Sequence, residues 1–177
     1  MRQGKRSALK PGERYNQEVH DMFKKIMIAS DGSETSMRAA ELAVELARLS
    51  EGSITVIYVV DIHRLASLPG YTSFPSISGR LMELMLKESE QATAEVGEMA
   101  WDAGVPFRRI VAEGEPSDEI LRGAYESGSD LLVVGRIGRS GLEKIMLGSV
   151  AEKVVRHSKV PVLIVPALSR WQNRLQN

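Results

Sequence analysis

Short apolar runs alternate with amphipathic stretches along this chain, and the alternation repeats from about residue 24 to residue 166. Ile26-Met27-Ile28-Ala29, behind Lys24-Lys25, is continuously apolar and predicts a buried strand that ends at Ser30. Asp31-Gly32-Ser33 breaks it. Ala39, Ala40, Ala43, Leu46 and Ala47 then recur on one helical face, and the small side chains suit close packing on a sheet. Glu51-Gly52-Ser53 stops that helix, and the β-branched run Ile54 to Val60 predicts a second strand.

Beyond Asp61 the pattern dissolves into an expected loop running to about Ser78, punctuated by Leu68-Pro69-Gly70 and Phe74-Pro75. A loop that long suits a lid or a partner-binding segment, and equally a disordered excursion. A long helix is predicted from Gly79 to Ala103, with Leu81, Leu84, Met85, Ala92, Val96, Met99, Ala100 and Ala103 as its stripe and Gly104 as its stop. Met82, Met85 and Met99 need be only core filler. Arg108 to Ala112 predicts a third strand, shorter and near an edge. Gly114-Glu115-Pro116 turns the chain, and Ser117 is the expected cap of a helix carrying Ile120, Leu121, Ala124 and Tyr125. Leu131 to Val134 is a fourth strand. A helical pattern opens near Val150, and Val162 to Val165 is a fifth strand closed by Pro166.

Strand and helix in alternation, with continuously apolar strands, predict an α/β domain with a mostly parallel sheet and helices on both faces. The domain is expected over residues 24–168, with a polar extension at 1–23 and a polar tail at 169–177. Charge adds little direction: 23 basic and 23 acidic residues cancel, which leaves no electrostatic case for nucleic acid or a membrane surface as partner. No apolar run approaches the roughly 20 residues that span a bilayer. The N-terminus lacks the apolar core of a signal peptide. Without cysteine there is no disulfide framework and no thiolate metal site, which fits a cytoplasmic protein.

Candidate chemistry falls at the carboxyl ends of the strands, where open parallel sheets bind ligands. The fourth strand runs into Gly135-Arg136-Ile137-Gly138-Arg139, and Gly148-Ser149 opens the next helix. Glycines at 135 and 138 allow close approach or a left-handed bend. Arg136 and Arg139 bring guanidinium donors, and the helix start offers backbone N–H groups and the Ser149 hydroxyl. Such an arrangement suits a phosphate, while Ser149-x-x-Glu152 is also a capping box that needs no ligand. Asp31 is open in the same way, as a helix cap or as an acceptor for a ligand donor. The P-loop and dinucleotide glycine patterns are absent. Three scattered histidines make no metal site, there is no Ser-His-Asp or H-E-x-x-H arrangement, and no carboxylate stands out as a catalytic base.

Gly135-x2-Gly138-x9-Gly148-Ser149 resembles the nucleotide-binding motif of the ATP-binding universal stress proteins. The resemblance extends from Lys24 to Pro166. Ser30-Asp31-Gly32-Ser33-Glu34, Gly114-Glu115-Pro116, Leu147 to Glu152 and Val160 to Val165 are similar to that family's segments in the same order. It implies a five-stranded parallel sheet of order 3-2-1-4-5, a Rossmann-like fold of the adenine nucleotide alpha hydrolase type. It carries over Ala29, Ser30, Asp31 and Val59 as the adenine side of a crevice. Gly135, Arg136, Gly138, Arg139, Gly148, Ser149 and Val150 fall on the ribose and phosphate side. It also implies ATP (or AMP or ADP), with magnesium held through the phosphates, and a homodimer formed through Val162 to Val165. Ala29 departs from the family by standing where its ATP-binding members often have proline, and the extension before Lys24 has no counterpart in the family core. The expected function is a nucleotide-dependent regulatory or stress-response dimer acting on a protein partner. Slow ATP hydrolysis or autophosphorylation and a nucleotide-independent adaptor are the alternatives.

Overall fold

The computed structural model describes residues 22–68, 75–138 and 147–166, with backbone alone at 75–77. The strands are β1 (Lys25–Ala29), β2 (Ser53–Asp61), β3 (Phe107–Gly114), β4 (Leu131–Gly135) and β5 (Val162–Val165). The helices are α1 (Glu34–Leu49), α2 (Ile62–Ala66), α3 (Pro75–Asp102), α4 (Pro116–Glu126) and α5 (Ser149–His157). All strand pairs are parallel and the sheet order is β3-β2-β1-β4-β5, as expected.

The apolar runs read as they do because both faces of the sheet are covered. Successive strand residues point to opposite faces. Ile26 and Ile28 of β1 therefore join Ala39, Ala43, Val96 and Ala100 beneath α1 and α3. Met27 joins Ile57, Ile120, Ala124, Leu132 and Val154 beneath α4 and α5 on the other face. Ile26, Met27 and Ile28 are all fully buried. The alanine stripe of α1 lets that helix sit close to β1 and β4. Its start is capped by Ser33, whose side chain accepts from the Ser36 N–H.

Several local expectations give way. The connection after β2 holds the five-residue helix α2, capped by Asp61, whose Oδ1 accepts from the Arg64 N–H. A helix that short has too few residues to show a period. α3 starts at Pro75 rather than Gly79, and Leu84 of its expected stripe is 57 % exposed. Leu81 and Met85 pack inward as expected, joined by Met82 against the cluster of Tyr58, Val60 and Leu65, and Leu84 faces outward. β3 is an edge strand of eight residues, longer than β1 or β4, and its largely exposed first residues hide its length from an apolar pattern. Pro116 occupies the start of α4, so the cap falls on Glu115 and Ser117 lies inside the helix. The expected extension and tail lie outside the described residues apart from Met22 and Phe23.

Two glycines should respond in opposite ways to alanine. A Cβ at Gly52 would lie 2.7 Å from the Lys24 carbonyl oxygen and 2.9 Å from that of Phe23, whereas a Cβ at Gly79 meets nothing within 4 Å. Gly52→Ala is expected to cost about 2 kcal/mol through overpacking against backbone. Gly79→Ala, inside α3, should gain about 0.5–1 kcal/mol. Urea unfolding midpoints of the two variants check both signs.

Candidate functional site

β1 and β4 are neighbours in the middle of the sheet, and the chain leaves them in opposite directions, toward β3 and toward β5. In open parallel sheets such a switch point is where a ligand crevice is expected, because consecutive crossovers cover opposite faces. Ser30, Asp31 and Gly32 follow β1 there, and Arg136, Ile137 and Gly138 follow β4.

The first segment is tied down locally. Ser30 is buried; its N–H donates to the Ile57 carbonyl at 3.0 Å, and its hydroxyl lies 3.2 Å from that of Ser36. Its side chain thus serves the start of α1. Asp31 Oδ1 accepts from the Ser33 N–H at 3.0 Å, so Asp31 shapes the turn and Ser33 is the cap. The other carboxylate oxygen reaches across the crevice: a Cβ at Gly138 would stand 2.6 Å from Asp31 Oδ2. Asp31 and Gly138, 107 positions apart in the chain, therefore meet, and a side chain at 138 would displace the carboxylate from this position.

The glycines of the second segment each lie close to another part of the protein. None of Gly135, Gly138 and Gly148 has a left-handed backbone. A Cβ at Gly135 would lie 3.0 Å from Thr35 Cγ2 and 3.3 Å from the Ser36 nitrogen, so this glycine lets α1 approach β4. Gly148 caps α5 and lies against the β4 exit: its N–H donates to the Arg136 carbonyl at 2.8 Å, and a Cβ would be 3.3 Å from that same oxygen. The Arg136 N–H in turn donates to the Val165 carbonyl at 2.7 Å, which ties β5 to the same turn. Arg139 lies outside the described residues.

The start of α5 carries no side-chain cap. Ser149 is the first helical residue rather than the cap, and Glu152 is held by Arg156 Nη2 at 2.8 Å, so the expected capping box does not form. The first helical bond runs from the Glu152 N–H to the Gly148 carbonyl. The N–H groups of Ser149, Val150 and Ala151 precede it and lie at the positive end of the helix dipole. The Ser149 side chain is exposed. Ala29, Val59, Leu147 and Val150 are partly buried and all pack against the cluster beneath α4 and α5, close in the fold to these donors. Leu147 was not anticipated; an apolar residue in a glycine-rich connection shows no period.

A second feature missed in the sequence is the side chain of Glu115. Its Oε2 accepts from the Ser117 hydroxyl and from the Asp118 N–H at 3.0 Å, while Oε1 accepts from Lys153 Nζ of α5 at 2.8 Å. Burial pushes its carboxyl upward, but the hydrogen bonds from Lys153, Ser117 and the Asp118 N–H outweigh that and hold it at about 2 against an ordinary 4.5. The turn was visible as a motif, whereas its partner 38 residues away was not. Among the described residues no three His, Asp or Glu side chains gather as a metal site. Among them, too, no helix is long and apolar enough to cross a membrane.

The profile of the universal stress protein family matches residues 22–166. The chain belongs to that family. A universal stress protein of Methanocaldococcus jannaschii, MJ0531, is 39% identical over 145 residues, covering 82% of this chain and 83% of its own. YxiE, a universal stress protein of Bacillus subtilis, is 38% identical over 147 residues, covering 81% and 99%. Among solved structures, the Methanocaldococcus jannaschii universal stress protein MJ0577 superposes with a TM-score of 0.73 at 27% identity, covering 84% of this chain and 99% of that one. A universal stress protein solved in complex with cAMP superposes with a TM-score of 0.61 at 26% identity, covering 84% and 100%. The universal stress protein fold, with its 3-2-1-4-5 sheet, is thus common to this chain and its relatives.

The Glu115 carboxylate makes a pH-dependent contribution with a defined sign. Its folded pKa lies below the unfolded value, so the stabilisation is complete above about 4.5 and is lost as pH falls toward about 2. Discounted for solvent exposure, it is worth about 1 kcal/mol. Glu115→Gln should therefore be less stable than wild type at pH 7 by about that amount. The difference in urea midpoint should close as pH drops through that window.

Proposed function

We propose that this universal stress protein binds an adenine nucleotide, ATP above all, in the crevice at the ends of β1 and β4, and that the bound nucleotide alters its contacts with a protein partner. The observation that carries the reading is the uncapped start of α5, pinned by Gly148 to the exit of β4 and facing a carboxylate brought across from β1. A helix N-terminus that leaves its N–H groups without a side-chain cap, close to partly buried apolar residues, suits a ligand with an anionic end and a flat apolar end. The relative solved with cAMP lends this ligand class support.

In this reading the base lies over Ala29 and Val59, and Asp31 accepts a hydrogen bond from the base or the ribose. The backbone at Ser30 and the turn Arg136 to Gly138, with Arg139 beyond it, flank the ribose. The N–H groups of Ser149 and Val150, the Ser149 hydroxyl and the glycine-shaped turn at Gly148 hold phosphate. Gly135 acts through packing. Asp31 is a single carboxylate, so magnesium would be held mainly by the phosphates themselves. The protein is a cytoplasmic homodimer in this account. β5 supports that, being a four-residue edge strand whose Val162, Leu163 and Ile164 are only half buried in one chain.

Nucleotide-stripped protein is expected to bind ATP and AMP below millimolar concentration in calorimetry. Gly138→Val, which places side-chain atoms against the Asp31 carboxylate, should weaken ATP at least about tenfold, a loss of the size that misplaced positioning groups produce. Its circular dichroism should match wild type. No binding by wild type, or unchanged affinity in the folded variant, would sink the proposal.

A further inference from the structure

α5 has an unusual task for its size. It spans only nine residues and is seated through Ala151 and Val154, with Val150 packed beside them. That packing is non-directional, and no side chain caps its start. Two polar contacts from outside add direction. One is the Gly148 N–H to Arg136 carbonyl bond at the very start. The other is the bond from Lys153, one turn further on, to Glu115 on the neighbouring helix start.

Glu115 is built to hold that second contact. Its Oε2 is occupied by the Ser117 hydroxyl and the Asp118 N–H, as the cap of α4, and this leaves Oε1 turned toward Lys153. The carboxylate is thus oriented before Lys153 arrives, and only the lysine loses conformational freedom on pairing. That distinguishes the pair from an ordinary surface bridge, in which two long side chains must both be ordered. α4 itself lies on the core through Ile120 and Ala124, in the cluster that holds Ala151 and Val154. One carboxylate therefore caps the anchored helix and tethers the uncapped one.

We infer that Glu115 and Lys153 are positioning residues for the phosphate end of the nucleotide site: their bridge sets the aim of the Ser149 and Val150 N–H groups. The inference rests on the proposed function and gives the Gly114-Glu115-Pro116 turn a role in the site it does not touch. A fixed donor array acts most strongly on a charged group when it need not reorganise. The bridge should accordingly matter for ATP and not for adenosine, which has no phosphate.

The two partners separate positioning from simple electrostatics. Lys153→Met removes a positive charge, and both explanations predict weaker ATP binding. Glu115→Gln removes a negative charge, so electrostatics alone predicts tighter ATP binding. The lost bridge predicts weaker binding, by about three- to tenfold, the range expected for losing one oriented set of helix-terminus interactions. Calorimetry with ATP and with adenosine on wild type, Glu115→Gln, Lys153→Met and Lys153→Arg tests this. The expected result is weakened ATP with unchanged adenosine in the first two variants, and ATP affinity near wild type in Lys153→Arg. Equal or tighter ATP binding by Glu115→Gln overturns the inference, as does an equal loss for ATP and adenosine. In both cases wild type still binds nucleotide and the functional reading stands. A wild type that binds no nucleotide overturns both.

Discussion

The hydrogen bond from the Gly148 N–H to the Arg136 carbonyl, 2.8 Å long, holds the start of α5 against the exit of β4. Much of the site's geometry follows from that contact. Glycine at 148 suits it, because a Cβ there would stand 3.3 Å from the oxygen that accepts the bond. It brings the first N–H groups of α5 to the carboxyl end of the central strands, where β1 delivers Asp31. It also fixes β5, since the Arg136 N–H is bonded to Val165. One turn thus joins two strands and a helix. The parallel sheet beneath makes the contact possible, because β1 and β4 are neighbours whose crossovers run to opposite sides.

The three glycines of the motif serve three different contacts, and this explains why their spacing alone leaves their roles open. Gly135 makes room for Thr35, Gly138 for the Asp31 carboxylate, and Gly148 for a backbone carbonyl. Each is a close approach between parts of the protein, and none requires a left-handed backbone. The glycines set close approaches within the protein, while in the proposed reading the α5 N–H groups and Asp31 supply the contacts to a ligand. Such a division makes the site sensitive to substitutions at residues that donate nothing to a ligand.

The sheet was legible because its signal is strong: fully buried central strands read as continuous apolar runs, and the Ile26-Met27-Ile28 run needs both faces covered. The approach of Asp31 to the glycine turn followed from the strand order that the family resemblance implied, which the alternation of strands and helices alone did not fix. What could not be read were features set by tertiary partners. α2 is too short to show a period, and β3 hides behind its exposed first residues. The Ser149 capping pattern failed because Glu152 pairs with Arg156 and the helix begins one residue earlier than the box requires. Glu115 was visible only as part of a turn, since its meaning depends on Lys153, on another helix.

The central claim is that an adenine nucleotide occupies the crevice between Asp31 and the start of α5. Backbone amide chemical shifts recorded while ATP is titrated into the labelled protein test it most directly. The account predicts that the largest shifts fall together at residues 29–31, 59, 136–138 and 147–151. Absence of shifts at millimolar ATP, or shifts concentrated at the opposite end of the sheet around Trp101 and Phe107, would contradict it.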